Sequence, residues 1–194
     1  MSSRKRLVEV ALKEFLVNGY QKTSLSNIAN KLGITKPALY YYFSSKKELF
    51  LECVEEYLSY SESISKSYVS RSTNTKDKMK ELIIHFSDPV IKIKPEWELE
   101  DFNDYYFVFD AIKNVPESKE LFSNASSGMI YHLGLIVQEG IEKSDLKPDT
   151  NVEMLLYGIG FLVEGFALGR YMEFLDKDSS IIDNMIELIW NGLK

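Results

Sequence analysis

The residues best suited to chemistry in this chain stand close together near its start, where three tyrosines follow a lysine. Lys36 and Pro37 open a predicted helix, and the consecutive Tyr40, Tyr41 and Tyr42 come next. Successive helical positions point about 100° apart, so a small domain cannot bury all three phenols. Exposed phenols and an ammonium group at a helix start can donate hydrogen bonds to phosphate oxygens and to base edges. The cluster therefore indicates a surface for nucleic acid.

Groups for catalysis or metal binding are few and scattered. The single cysteine, Cys53, falls beside Val54 on an apolar helical face, which predicts a small core residue. His85 and His132 lie far apart in the sequence, each next to apolar or aromatic residues, which favours a structural histidine over a ligand contact. The sequence therefore predicts no enzyme, no metal site and no cofactor.

Charge is divided along the chain. Residues 1–50 carry nine Lys or Arg and three Asp or Glu, a net charge of +6, whereas the rest of the chain carries −12. A basic head on an acidic body indicates that only the head meets a polyanion. The alternative is a chance cluster of surface lysines, and charge alone does not separate the two interpretations.

Two features of the sequence bear on where the protein works. One cysteine cannot form an internal disulfide, which points to a reducing compartment. No stretch reaches the about 20 apolar residues that a membrane helix needs, and the N-terminal residues lack the apolar region of a signal peptide. We therefore expect a cytoplasmic protein with no membrane partner.

Three predicted helices must hold the lysine and the tyrosines in place. Apolar residues at a spacing of four predict a first helix that stops at Asn18-Gly19. A second helix begins after the N-cap Ser24 and ends at Gly33, and Thr35-Lys36-Pro37 opens the third. Two short helices joined by a tight turn make a helix-turn-helix unit, whose second helix fits a major groove about 12 Å wide.

The rest of the chain is also helical in pattern, so we predict an all-α fold. Ser45-Lys46-Lys47-Glu48 has the form of a capping box and starts a long helix that fades over Ser70–Thr75. Thr150-Asn151-Val152-Glu153 is a second capping box, with Thr150 as the N-cap. Further helices are predicted over about 76–91, 96–113, 117–143, 150–174 and 179–193.

Residues 23–50 resemble the signature of the TetR-type transcriptional regulators. They read TSLSNIANKLGITKPALYYYFSSKKELF and meet nearly every defined position of the family pattern, together with Phe15 and Gly19 upstream; Tyr42 stands where histidine is common. The resemblance implies a helix-turn-helix DNA-binding domain over 1–50 and a helical ligand-binding and dimerisation domain over 51–194. It further implies a homodimer that binds a palindromic operator, usually as a repressor, and that a small hydrophobic or aromatic effector releases.

The resemblance also carries roles to the matched positions. The residues at positions where the family touches bases or the groove floor are Ser26, Lys36, Pro37, Ala38 and Tyr40. The residues at positions where it touches phosphates are Thr23, Ser24, Thr35, Tyr41, Tyr42 and Lys46. Packing is the alternative role for each tyrosine. A helix-turn-helix module that binds a partner other than DNA is the alternative for the whole unit.

An aromatic cluster in the acidic part predicts a ligand pocket. Six of the fourteen residues over 97–110 are aromatic, more than one helix face can bury. The predicted lining residues are Trp97, Phe102, Tyr105, Tyr106, Phe109, Met129, His132, Phe161 and Glu164. Aromatic faces beside the Glu164 carboxylate suit a lipophilic cation, whereas the aromatics alone suit a neutral or acyl-chain molecule. The alternative is that the aromatics form core and that Glu164 pairs with a basic residue such as Arg170.

The last two predicted helices carry the residues expected at a subunit interface. Gly158, Gly165 and Gly169 lie on one side of the helix over 150–174, where small residues let another helix approach closely. The final helix adds Ile181, Ile182, Met185, Ile186, Ile189 and Trp190. This apolar surface is wide for a terminal helix and predicts a two-fold homodimer interface. The alternative is that the glycines pack against helices of their own subunit.

Overall fold

The computed structural model describes residues 3–71, 73–87, 104–173, 175 and 180–193, and every regular element within these ranges is a helix. The helices are α1 (Ser3–Lys22), α2 (Leu25–Leu32), α3 (Lys36–Tyr40), α4 (Lys46–Ser70), α5 (Thr75–Ser87), α6 (Asp104–Asn114), α7 (Ser118–Glu142), α8 (Val152–Tyr171) and α9 (Ser180–Leu193). The predicted all-α fold is confirmed.

The chain forms two compact units. Unit 1 comprises Met1–Ser61 and Ile93–Ala125, and unit 2 comprises Glu62–Lys92 and Ser126–Lys194. The helix-turn-helix domain predicted over 1–50 lies wholly within unit 1, which also contains α6. The division of function at residue 50 stays a prediction.

The core of unit 1 forms around one face of α1. The apolar stripe expected from the sequence is buried along α1, with Leu12 and Phe15 fully enclosed. Phe15 meets Phe50 of α4 edge to face, with 4.8 Å between the ring centroids. Phe50 in turn lies against Phe107 of α6 at 5.9 Å. The three helices therefore share one aromatic core, on which the shorter α2 and α3 pack.

Gly19 interrupts α1 where the sequence predicts a stop. Its φ of 73° and ψ of 170° are non-helical, and helical hydrogen bonding resumes as far as Lys22. A side chain at this position would be strained in the left-handed region. The N–H of Tyr20, just past the break, donates to Asp110 Oδ2 of α6 at 2.6 Å. The predicted end of the helix is thus a kink, and α6 accepts the N–H that follows it.

The predicted capping residues are confirmed at α2 and α4. Ser24 Oγ accepts from the Asn27 N–H at 3.1 Å, and Gly33 ends α2 in the left-handed conformation with φ of 67°. At α4, Ser45 Oγ accepts from the Glu48 N–H at 3.1 Å. The Glu48 carboxylate reaches one residue further back than in a capping box and accepts from the Ser44 N–H at 2.7 Å.

The cap of α8 differs from the prediction. Asn151, not Thr150, is the N-cap, and its Oδ1 accepts from the Met154 N–H at 3.1 Å. The Thr150 hydroxyl instead donates to the Lys147 carbonyl at 2.7 Å, within the turn that precedes the helix. Both residues can cap a helix, but the Thr150 hydroxyl is already engaged in the preceding turn.

Unit 2 has a separate apolar core built from α5, α7, α8 and α9. Leu82, Leu133, Ile136, Ile159 and Ile186 are among its most deeply buried residues. The predicted later helices have the expected order, with ends within three residues where both ends are described. Parts of the helices predicted over 76–91 and 96–113 fall on residues outside the described ranges.

A buried lysine ties three helices of unit 2 together. Lys78 of α5 is only 4% exposed, and its Nζ donates to both oxygens of Glu139 on α7, at 3.0 and 2.7 Å. The same ammonium group donates to the Val69 carbonyl near the end of α4, at 3.0 Å. Lys143, just past the end of α7, pairs with Oε1 of the same carboxylate. A buried charge is tolerated here because these oxygens replace its water.

The cysteine and the two histidines are enclosed by the fold. Cys53 is fully buried in unit 1, where burial raises the pKa of its thiol. His85 is buried between Tyr68 and Phe86. His132 is buried with its Nδ1 2.9 Å from Ser65 Oγ, and burial lowers its pKa. The interpretation of Cys53 as a core residue is confirmed.

α8 is the most apolar long helix of the described chain. Its mean hydropathy reaches 1.5 over an 18-residue window, and 22% of that window is buried within the chain. By length and composition alone this helix is able to cross a membrane, contrary to the expectation from the sequence that no stretch is apolar enough. A helix whose apolar surface is covered by a protein partner meets the same criterion.

Candidate nucleic-acid interface

The turn between α2 and α3 sets the direction of the candidate reading helix. The Gly33 N–H donates to the Asn30 carbonyl at 3.1 Å, and the Ile34 N–H donates to the Ala29 carbonyl at 3.0 Å. Thr35 then caps α3, with its Oγ1 accepting from the Ala38 N–H at 3.3 Å. These contacts fix the path of the chain immediately before the predicted base-contacting residues.

α3 is short and held from beneath. It spans five residues, because the chain leaves the helix at the cap Tyr41. Leu39 is fully enclosed and Phe43 is almost so, and both pack in the core of unit 1. An isolated helix of this length is unstable in water, so its geometry depends on these two anchors and on its caps.

The outer side of α3 bears the predicted recognition residues. Lys36, Pro37, Ala38 and Tyr40 are all exposed, as is the cap Thr35. The Lys36 ammonium lies 5.9 Å from the centre of the Tyr40 ring. A cation at the first residue of α3 and a phenol at its last residue therefore lie side by side, next to two small residues that leave room for a groove wall.

The three tyrosines differ in exposure, as the helical geometry requires. Tyr41 is 84% exposed and Tyr40 is 46% exposed, whereas Tyr42 is half-buried against the unit 1 core. Tyr41 and Tyr42 meet edge to face with 5.2 Å between their ring centroids. The expectation that at least one phenol faces outward is confirmed by Tyr41.

The predicted DNA contacts at the starts of α2 and α4 have different surroundings. Ser24 and Ser26 are exposed at the start of α2. Lys46 is half-buried at the start of α4, with its ammonium 4.2 Å from the centre of the Tyr20 ring. Burial lowers the pKa of Lys46, and the Asp110 carboxylate opposes that shift. The lysine is therefore pre-positioned by packing rather than extended into solvent.

Thr23 has a role that the sequence did not predict. Its side chain is buried, and its hydroxyl lies within hydrogen-bond distance of the Gly19 carbonyl (2.8 Å) and the Glu14 carbonyl (3.1 Å). A hydroxyl has one hydrogen to donate, and here these carbonyls take it. The Thr23 side chain joins the end of α1 to the start of α2.

Several cations of the basic head are paired within unit 1. Arg4 pairs with Glu52, Lys31 pairs with Glu14, and Lys47 lies 2.8 Å from Glu117. In the sequence alone, these charges add together as attraction for a polyanion. Their partners lie 17 to 70 residues away along the chain, so no local pattern reveals the pairing.

The predicted ligand-pocket residues fall in both units. On α6, in unit 1, Tyr105 is half-buried and Tyr106 and Phe109 are exposed. In unit 2, Met129 and His132 are buried on α7, whereas Phe161 and Glu164 are exposed on α8. Trp97 and Phe102 lie outside the described residues. That these side chains line one cavity stays a prediction.

The outward face of α8 is mostly apolar, with the Glu164 carboxylate exposed among the apolar side chains. The large exposed side chains on it are Met154, Tyr157, Phe161, Leu168 and Met172. Gly158 and Gly165 are exposed among them, and a Cβ built on either glycine would meet no atom of the described chain within 4 Å. These two glycines therefore do not pack against the described helices of their own subunit, whereas Gly169 is buried.

α9 contributes less of the predicted interface than its sequence suggested. Ile182, Ile186 and Trp190 are buried in the core of unit 2, with Trp190 only 5% exposed. Ile181 and Leu188 are exposed instead. The prediction that Ile182, Ile186 and Trp190 belong to the interface surface is wrong, because the amphipathic helix turns these three side chains towards the core of unit 2.

Comparison with known proteins gives a family match over the N-terminal helices. Residues 7–53 match the family model described as "Bacterial regulatory proteins, tetR family". The HTH-type transcriptional regulator YdgC of Bacillus subtilis is 28% identical over 169 residues, which cover 87% of this chain and 83% of that protein. The HTH-type transcriptional activator FasR of Mycolicibacterium smegmatis is 23% identical over 98% of this chain and 82% of its own length.

Solved structures share the whole fold. A transcriptional regulator from Saccharomonospora viridis in complex with choline has a TM-score of 0.72 at 17% identity and covers 96% of this chain and 93% of its own. The TetR family regulator CifR, complexed with a 26-base-pair operator, has a TM-score of 0.69 at 20% identity and covers 100% of this chain and 98% of its own. These likenesses show the fold of the chain. The relatives are regulators of transcription, which is not an enzymatic activity.

Proposed function

We propose that this chain, a TetR-type transcriptional regulator, binds a palindromic operator as a homodimer, represses transcription there, and leaves the DNA when a small hydrophobic or aromatic effector binds. The observation that carries the proposal is the exposed side of α3, where Lys36 and Tyr40 project beside a buried Leu39. This helix belongs to a head of net positive charge on an acidic chain.

The head has donors suited to both parts of a duplex. We assign base and groove contacts to Ser26, Lys36, Pro37, Ala38 and Tyr40. We assign phosphate contacts to Ser24, Thr35, Tyr41, Tyr42 and Lys46, and leave Thr23 to packing. Lysine donates well to guanine in the major groove, while the phenols and the N–H groups at the start of α2 suit phosphate oxygens.

A second copy of the chain is the proposed occupant of the apolar face on α8. Its glycines permit close approach of a helix, and its exposed side chains would lose water on association. A two-fold axis through this face makes the interface self-complementary. Two heads related by the same axis would read two inverted half-sites, which predicts a palindromic operator.

For the effector we favour a ligand held by aromatic and apolar side chains over a cation. The premise of a cation site was a carboxylate enclosed among apolar residues, and Glu164 is exposed on the α8 face proposed for dimerisation. Aromatic side chains on α6, among them Tyr105 and Phe109 with 5.7 Å between ring centroids, supply the alternative chemistry. Release requires that the effector bind more tightly to the state of the dimer that fits DNA less well.

Selection from a random duplex library tests the DNA-binding part of the proposal. We expect the purified chain to enrich an inverted repeat, and to bind it as two protomers per duplex in sedimentation analysis. The recovered site placed over a promoter should lower reporter expression when the chain is present. Enrichment of no sequence, with affinity equal for all duplexes, would favour the helix-turn-helix interaction module instead.

A ligand panel tests the effector. Choline, a neutral aromatic and an acyl-chain compound are compared by thermal shift and by release of the chain from the selected duplex. We expect release by the aromatic or acyl compound, with Glu164→Gln leaving it unchanged. Release by choline alone, weakened in Glu164→Gln, would restore the cation site and contradict our preference.

A further inference from the structure

Arg4, in the first turn of α1, contacts three residues from other parts of unit 1. Its Nε donates to Glu52 Oε1 at 3.0 Å, and its Nη2 pairs with the other oxygen of the same carboxylate. Its Nη1 donates to the Tyr42 carbonyl at 2.8 Å. The guanidinium carbon also lies 4.4 Å from the centre of the Phe43 ring. One side chain therefore joins α1, the segment after α3, and α4.

Arg4 contacts the chain just after the C-terminal end of α3, the proposed reading helix. The last carbonyls of any helix lack intrahelical donors, and α3 has only five residues. Beyond it, the N–H groups of Tyr42 and Phe43 both donate to the Leu39 carbonyl, at 3.0 and 3.2 Å. Arg4 supplies a donor to the Tyr42 carbonyl, two residues past the end of the helix.

We propose that Arg4 is a positioning residue for DNA recognition: it locks the chain at Tyr42 and Phe43 to α4, and thereby fixes the direction of Tyr40 and Tyr41. The inference rests on the proposed function and adds a residue that the recognition motif does not contain. Its charge is committed to Glu52 and does not neutralise a phosphate.

The chemistry of arginine is needed at this position. A planar guanidinium can bind a carboxylate with two parallel hydrogen bonds, donate a third to a carbonyl and lie flat on an aromatic ring. A lysine ammonium keeps the charge but cannot make these contacts together. Arg4→Lys therefore separates the two roles, because a lysine can replace an arginine that acts only as a point charge on a phosphate.

The DNA-binding experiment compares the selected duplex with a shuffled duplex of equal composition over a range of salt concentrations. We expect Arg4→Ala and Arg4→Lys alike to reduce the ratio of the two affinities about tenfold, with the salt dependence on the shuffled duplex unchanged. Arg6→Ala is the matched control, since Arg6 is an exposed neighbour of the same charge. Rescue by Arg4→Lys would overturn the inference. So would a salt dependence on the shuffled duplex that becomes shallower by about 0.9 in Arg4→Ala, the change expected when one phosphate is no longer neutralised.

A second experiment needs no DNA and keeps the inference distinct from the proposed function. Amide hydrogen exchange is followed at Tyr41, Tyr42 and Phe43, whose N–H groups bond to the carbonyls of Pro37 and Leu39. We expect about tenfold faster exchange in Arg4→Ala and in Glu52→Gln, and no change in Arg6→Ala. Unchanged exchange in Arg4→Ala overturns the positioning role even if the wild-type chain binds its operator. If the wild-type chain prefers no duplex, the proposed function fails and the exchange rates alone decide the role of Arg4.

Discussion

Lys36 and Lys46 occupy different surroundings in the same head, and the difference predicts different roles. Lys36 is exposed at the first turn of α3, whereas Lys46 is half-buried over the Tyr20 ring at the start of α4. A lysine in the groove can discriminate between bases, while one at the edge of the head meets only phosphate. The two residues therefore offer a direct test of how the head divides its contacts.

Lys36→Ala should cost about 1–3 kcal/mol on the selected operator and relax preference at one position in each half-site. Lys46→Ala should lower the affinity for the selected and the shuffled duplex by the same factor, and should make both affinities less dependent on salt concentration. Fluorescence anisotropy with single-base-pair variants of the operator measures both effects. An equal loss on both duplexes for Lys36→Ala would show that Lys36 does not read bases.

Glu139 illustrates a residue whose role is stability rather than recognition. Hydrogen bonds from Lys143 and Lys78 lower the pKa of its carboxyl, so the folded state favours the carboxylate. The stabilisation is therefore present above the pKa that glutamate has in the unfolded chain. It is lost as the pH falls through the lowered pKa of the folded state.

Glu139→Ala should lower the free energy of unfolding by about 3 kcal/mol at neutral pH, because it leaves the Lys78 ammonium buried without its carboxylate. Lys143→Ala, which removes only the exposed partner, should leave the free energy of unfolding close to that of the wild type. Urea denaturation measures both. The difference in the free energy of unfolding between wild type and Glu139→Ala should become smaller at acidic pH. A difference that becomes larger there would contradict the assigned role.

Among the elements, α8 and α9 have the clearest uncovered apolar surface. Phe161 is 76% exposed and Leu188 is 68% exposed. A Cβ built on Gly165 would meet no atom of the described chain within 4 Å. By contrast, Trp190 completes the core of unit 2. Changes that test the proposed dimer therefore belong at Phe161, Leu188 and Gly165.

Gly165→Leu combined with Leu188→Asp should yield monomers in sedimentation velocity while the far-UV helix signal persists. A leucine blocks the close approach of the partner helix, and a buried unpaired carboxylate is costly. Trp190→Ala is the comparison: it should lower stability by about 3–5 kcal/mol through the cavity left in the core, without a selective loss of dimer. A Gly165→Leu/Leu188→Asp variant that remains dimeric would place the interface elsewhere.

Local signals in the sequence predicted the helices and most of their ends. The caps Ser24 and Ser45 and the stop at Gly33 depend on side-chain and backbone preferences that act within a few residues. The choice of Asn151 over Thr150 depends on the preceding turn, where both residues compete for the same role. Patterns along the chain do not resolve such competition.

For the molecule as a whole, the sequence predicted the exposed residues of α3 but not the contacts that position this helix. The motif fixes the order of Lys36, Tyr40 and Leu39, and helical geometry then decides which of them is buried. The contacts of Arg4 with Glu52 and of Tyr20 with Asp110 join residues 48 and 90 positions apart. Only the packed chain brings them together, so their roles emerge from three-dimensional contacts.

The charge division is also a property of the whole molecule. The head carries a net +6 and the remainder −12, so a duplex should be attracted to the head and repelled by the rest. Because attraction to phosphate is independent of sequence, salt dependence alone does not establish a reader of bases. The decisive experiment therefore has to distinguish general affinity for DNA from preference for the selected sequence.

That experiment measures the affinity of Lys36→Ala/Tyr40→Ala for the selected and the shuffled duplex at one salt concentration, beside the wild type. If α3 reads the operator, the double variant binds both duplexes alike, near the affinity of the wild type for the shuffled one. If the double variant keeps the wild-type affinity for the selected duplex, α3 is not the reading helix.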